Sequence, residues 1–121
     1  MMRPVVRITP QAETDIADTL RLTKVRLGKT ITNRYQNLLQ VTFQSLAEEP
    51  AHINSTIRSE LSPGLHSLHL AFNILKLSDG RVIRPRHIVF YRIGSDQVVE
   101  IIRLLHDAME VAPYLKHLHQ P

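Results

Sequence analysis

The sequence predicts an α/β (α+β) domain of order β-α-α-β-β-β: a helix hairpin packed on a small twisted antiparallel sheet, with a short C-terminal helix or extension. Three observations predict it. The first half holds two stretches of helical period separated only by Gly28-Lys29. The second half holds two runs of β-branched and aromatic residues, 88–93 and 98–105, joined by the short turn Gly94-Ser95-Asp96. Between the halves, Leu68, Leu70, Phe72 and Ile74 alternate with Ser67, His69, Ala71 and Asn73, the two-residue period of a half-buried strand.

In chain order, Pro4-Val5-Val6-Arg7-Ile8 reads as a short strand. Thr9-Pro10 then starts a helix. Threonine caps free N–H groups, and proline suits the first helical position, where its missing donor is no loss. Glu13, Asp15 and Asp18 sit early while Arg21, Lys24 and Arg26 sit late, the order that complements the helix dipole. Ala12, Ile16 and Leu20 make a thin apolar stripe, and Gly28 suits the position just past a helix end. A second helix covers about 30–48, with Ile31, Tyr35, Leu38, Leu39, Phe43 and Leu46 on one face and Pro50 beyond it. So short a link makes the pair antiparallel. Residues 51–64 form a connector that closes on Pro63-Gly64.

Asp79-Gly80 lies between Leu75-Lys76-Leu77 and Val82-Ile83 and is a two-residue turn signal. It predicts lengthened strands and a hairpin extended over about 73–86. The runs 88–93 and 98–105 are almost continuously apolar, which predicts strands covered on both faces and central in the sheet. Residues 110–119 predict one or two helical turns.

The chain has 121 residues and reads as a single domain, 1–121. With no cysteine, it has no disulfide, thiol catalysis or cysteine–zinc site. No apolar run approaches the roughly 18 residues of a membrane span. The N-terminus lacks the pattern of a signal peptide, so no membrane partner and a cytoplasmic location are expected. The net charge of +4 is spread along the chain, with one local cluster at Arg81, Arg84, Arg86, His87 and Arg92. A basic surface suits an anionic partner, or simply keeps the fold solvated. There is no nucleophile elbow and no glycine-rich phosphate loop. The close histidine pairs are His66 with His69 and His117 with His119. The first would point to opposite faces of a strand and the second lies at a chain end, so no metal site and no cofactor are expected.

Several segments together resemble the ParE branch of the RelE/ParE toxin superfamily. They are Phe90-Tyr91-Arg92, Val99-Glu100-Ile101-Ile102-Arg103-Leu104-Leu105-His106 and Asp107-Ala108-Met109-Glu110. Upstream, Arg34-Tyr35, Leu46-Ala47-Glu48-Glu49-Pro50 and Leu61-Ser62-Pro63-Gly64-Leu65-His66-Ser67 fit the same family at the same spacing. The resemblance covers about residues 5–116. It departs at His66, where arginine is usual, and at the dozen extra residues before Phe90. It implies the toxin of a type II toxin–antitoxin module that inhibits DNA gyrase without being an enzyme. It also implies a ParD-like antitoxin, with DNA contacted only through the toxin–antitoxin complex. Antitoxin contacts are expected at Ile16, Leu20, Tyr35, Leu39, Arg92 and Arg103, and target contacts at His106, Met109 and Tyr114. The alternative is a ribosome-dependent mRNA endoribonuclease of the RelE kind, whose catalytic groups here would be Arg92, Arg103 and His106. A third possibility is an inactivated paralogue that only binds an antitoxin.

Overall fold

The computed structural model describes residues 5–76 and 84–116. Its strands are β1 (Val6–Ile8), β2 (Thr56–Ile57), β3 (Leu65–His69), β4 (His87–Ile93) and β5 (Val99–His106). They form one sheet in the order β1-β5-β4-β3-β2, antiparallel except where β1 runs parallel to β5. The expected meander is β3-β4-β5, and the apolar runs are indeed its inner strands. β2 falls inside the expected connector.

A β-bulge explains why β5 shows no clean alternation. Phe90 pairs with Arg103 while Tyr91 pairs with Ile101, so Ile102 is an extra residue. Ile101 and Leu104 join the core under the helices, with Val89 and Tyr91. Ile102 and Leu105 join a second core on the other face, with Leu61, Leu65, Phe90 and Leu115. That second face is covered by the chain's own connector and by the C-terminal turn α2 (Ala112–Leu115), whose Leu115 is fully buried.

α1 (Pro10–Glu48) is broken at Gly28, where φ is 88° and ψ is 175°. Thr9 caps it by accepting from the Ala12 N–H, and Pro10 opens it. The first arm climbs beside β5, from Thr9 at Ile101 to Asp15 at Leu104. The second arm descends. Tyr35 sits level with His87, and Pro50 accepts from the Tyr91 hydroxyl four residues further along β4. The two arms are therefore antiparallel, as the short link required. Only glycine is at ease at the Gly28 angles, and a Cβ there would meet nothing within 4 Å. Gly28→Ala should thus cost about 1.5 kcal/mol through backbone strain alone. A lower urea midpoint would show it; an unchanged midpoint would mean that the turn relaxes freely.

The alternation at 67–74 does not make a strand to its end. β3 stops at His69, and Leu70–Lys76 form a 3-10 helix. Leu70 and Asn73 are buried while Ala71 and Phe72 are exposed, so the working period here is three. Asn73 is anchored by its Nδ2 donating to Thr42 Oγ1 at 3.4 Å. Neither β3 nor β4 is lengthened as expected; the Asp79-Gly80 turn itself lies outside the described residues.

β1 covers only the lower half of the β5 edge, Val99 to Ile101. Side chains of the first arm finish that edge. Thr9 Oγ1 donates to the Ile102 carbonyl at 3.2 Å, and Asp15 accepts the Leu104 N–H at 3.0 Å. An open edge would invite pairing with another chain; here two polar side chains stand in for a strand.

Candidate functional site

The upper ends of β3, β4 and β5 gather a polar cluster under the helix hairpin. His87 opens β4, His106 closes β5, and the two are cross-strand partners with ring centroids 5.2 Å apart. Tyr35 reaches down from the second arm. Its hydroxyl lies 2.5 Å from His87 Nδ1 and accepts the Arg86 N–H at 3.3 Å. Burial pushes the Tyr35 hydroxyl up to about 12, so it keeps its proton and donates it to His87. Burial, helped by His106, pushes His87 down to about 4, so its ring is neutral at pH 7. With Nδ1 accepting, the His87 proton sits on Nε2.

His106 has the same tautomer, because its Nδ1 accepts the Ala108 N–H at 3.0 Å. His69 Nδ1 accepts the Ala71 N–H at 3.1 Å, which leaves Nε2–H to donate to Asp107 Oδ2 at 2.9 Å. Asp107 also accepts from Arg86 Nε at 3.0 Å and 3.2 Å. Arg86 first, and then His69, hold this carboxyl down at about 2.

Above the cluster lies a cavity of about 500 Å³. Leu22, Leu27 and Ile31, from either side of the Gly28 turn, form its apolar wall. Arg26, Arg84, Arg86, His87 and His106 form its polar one. The hairpin tip also exposes apolar surface, with Leu22 44%, Leu27 63% and Val25 78% accessible.

The residues singled out from sequence fall in different places. Arg103 is clamped by Asp15, Nε to Oδ2 at 2.7 Å and Nη2 to Oδ1 at 3.0 Å, and lies over the Tyr114 ring at 5.5 Å. Arg92 donates to Ser62 Oγ at the other end of β4. Because His87 pairs with His106, Arg92 sits five residues along β4 from the level of His106, about 17 Å at the rise of a strand. Arg92, Arg103 and His106 are therefore not one site. Ile16 and Leu20 are half-buried against the core. Leu39 is 3% exposed and Tyr35 is buried in the same core, so that stripe offers little exposed apolar surface, whereas the hairpin tip does. Met109 packs against the second core, and Tyr114 is partly exposed beside it.

The residues that sequence reasoning did not connect are His69, His87 and Asp107 with Tyr35. Of these, only His87 was flagged within a basic cluster. Leu22 and Leu27, apolar residues close to a helix-ending glycine, were the available signal for the cavity wall. Among the described residues, no group of three or more His, Asp and Glu side chains is placed to hold a metal ion. No helix among them is long and apolar enough to cross a membrane.

Among solved structures, the E. coli toxin RelE, an arginine double mutant in the free state, is similar to this chain. The likeness covers 99% of this chain and 100% of that one, with a TM-score of 0.56 and 12% identity. No curated protein matches. A helix hairpin on this mixed sheet thus defines a small α+β domain of the RelE-like toxin fold. The chain belongs to the ParE toxin family of type II toxin–antitoxin systems, parDE, whose family model matches residues 6–111. That membership implies a ParD-like antitoxin as partner.

Proposed function

We propose that this toxin acts by occupying a surface of DNA gyrase, and that it breaks no bond itself. The observation that carries the reading is the dispersal of the groups an endoribonuclease would need. Arg103 is engaged by Asp15, and Arg92 stands about 17 Å along the strand from the level of His106. General acid–base catalysis requires its groups within hydrogen-bond reach of one reacting phosphodiester. The closer pair, His87 and His106, supports the same reading. Both Nδ1 atoms already accept a hydrogen bond and both rings carry their proton at Nε2, so neither ring has a free lone pair for a 2′-hydroxyl.

The ParD-like antitoxin would neutralise the toxin by folding a disordered segment onto it. The exposed Leu22, Val25 and Leu27 at the hairpin tip offer anchors for such a segment. His106, Met109 and Tyr114 remain the proposed face toward gyrase. The test is a supercoiling assay with purified gyrase and the full chain. Supercoiling should stop and cleaved DNA accumulate, and added antitoxin should reverse both. Intact supercoiling, together with cut transcripts in a translating extract, would overturn the proposal in favour of the endoribonuclease.

A further inference from the structure

The cavity above the histidine cluster is lined by Arg26, Arg84, Arg86 and His87, which the gyrase reading does not use, together with His106, which it does. We infer that it is a binding site for the terminal phosphate of a nucleotide, with the base laid against Leu22, Leu27 and Ile31. This inference stands apart from the gyrase reading and does not rest on it.

The argument begins with hydrogen-bond capacity. Arg26, Arg84 and Arg86 line the cavity, and guanidinium groups only donate. His87 and His106 line it as well, and each has its Nδ1 occupied as an acceptor. What each ring has left is an Nε2–H. The Tyr35 hydroxyl is used in both directions, donating to His87 and accepting from Arg86. Thr19 and Thr23 line the cavity too, and their hydroxyls can accept, but the arginine and histidine side of the wall offers only donors. Such a wall fits a ligand group that only accepts, and a phosphate does so with three oxygens.

Charge narrows the choice. Three guanidinium groups face the cavity, and the adjacent carboxylate is Asp107, bound to Arg86 and His69. Among the described residues, Arg26 and Arg84 form no ion pair. The excess is two positive charges, and a phosphate monoester brings about −1.5 to −2 at pH 7. Size agrees: about 500 Å³ lies within the range of small-ligand sites and is short for a helix, which needs anchors over several turns. Leu22, Leu27 and Ile31 give the same cavity an apolar part on which a base could rest. A base with its π-faces covered on one side and its phosphate among arginines satisfies both walls together.

The phosphate could belong to a free nucleotide or to the 5′ end of a strand. Titration of the full chain with 5′-AMP, adenosine, and an oligonucleotide with or without a 5′-phosphate separates these. We expect 5′-AMP to bind and to move the imidazole NMR signals of His87 and His106. Adenosine should bind at least about tenfold more weakly. Arg26→Gln and Arg84→Gln, both at exposed positions, should each weaken 5′-AMP about tenfold while the circular dichroism spectrum stays unchanged. A phosphorylated oligonucleotide that binds as well as 5′-AMP identifies the strand end as the ligand; one that does not identifies the free nucleotide. The inference is overturned if 5′-AMP fails to bind at millimolar concentration. It is equally overturned if adenosine binds as tightly, if the arginine variants lose nothing, or if only an acidic peptide binds.

Discussion

Asp15→Ala should lower the stability of the fold by about 3 kcal/mol, close to what is lost when one partner of a buried ion pair is removed. Asp15 accepts from Arg103 Nε, Arg103 Nη2 and the Leu104 N–H, at 2.7, 3.0 and 3.0 Å. The Arg103 and Asp15 side chains are only 13% and 14% exposed. Without the carboxylate, a largely covered guanidinium keeps its desolvation cost and loses its partner. The Leu104 N–H is stranded at the same time, on the half of the β5 edge that β1 does not reach. Urea denaturation should show a lower midpoint with an unchanged slope. Arg103→Ala should cost less, because Asp15 would keep the Leu104 N–H and can turn toward water. The double variant should fall well short of the sum, since both changes remove the same contact. Additive losses, or a loss under about 1 kcal/mol for Asp15→Ala, would place the pair among ordinary surface salt bridges. Arg103 also lies over Tyr114, so the clamp holds α2 as well as α1. Loss of the proposed gyrase inhibition by Asp15→Ala at temperatures where it remains folded would tie the C-terminal turn to the target.

This clamp also shows where a sequence stops being legible. Asp15 and Arg103 are 88 residues apart, and nothing local marks them as partners. The same holds for Tyr35 with His87, 52 apart, and for His69 with Asp107, 38 apart. By contrast, the helix hairpin rests on local signals, Thr9-Pro10 at its start and Gly28 at its turn, and these were readable. The β4–β5 pair was readable because strands covered on both faces need apolar residues at nearly every position. Which residue faces which core was not, since the bulge at Ile102 exists only in the pairing of two strands. The failed strand over 70–74 has the same cause. Leu70, Phe72 and Ile74 satisfy a period of two, but Thr42 on the second arm anchors Asn73, and that contact favours a period of three. β2, two residues long, has no period at all. Local chemistry therefore located the elements, while the site arises where three strand ends and one helix arm meet.

At that meeting point the protein should lose stability as the solution is made moderately acidic. His87 in the folded chain titrates near 4, against an ordinary 6.5. The unfolded chain therefore takes up this proton first, and stability falls as pH drops from about 6.5 to 4. At pH 7 the contribution is fully present; below 4 it is gone. The full shift would be worth more than 3 kcal/mol, and partial access of water to the ring reduces the expected loss to about 2 kcal/mol. Burial sets the sign first, and the groups facing His87 add to it. Its Nδ1 is filled by the Tyr35 proton, while His106, His69 and Arg86 oppose a further positive charge; Asp107 alone favours it. Asp107 acts in a separate window, because its carboxyl is held near 2 and its contribution fades only below about 3.8. His66, stacked on Tyr91 and also lowered by burial, slopes in the same direction as His87. The informative measurement is therefore the difference between the wild type and His87→Gln, followed by urea denaturation from pH 7 to pH 4.5. His87→Gln keeps a neutral side chain near Tyr35 but has no proton to gain, so its curve should be flatter by about 2 kcal/mol over that span. Parallel curves would mean that His87 is as easily charged in the folded chain as in the unfolded one. The Tyr35–His87 contact would then not hold the helix hairpin to the sheet in the form described.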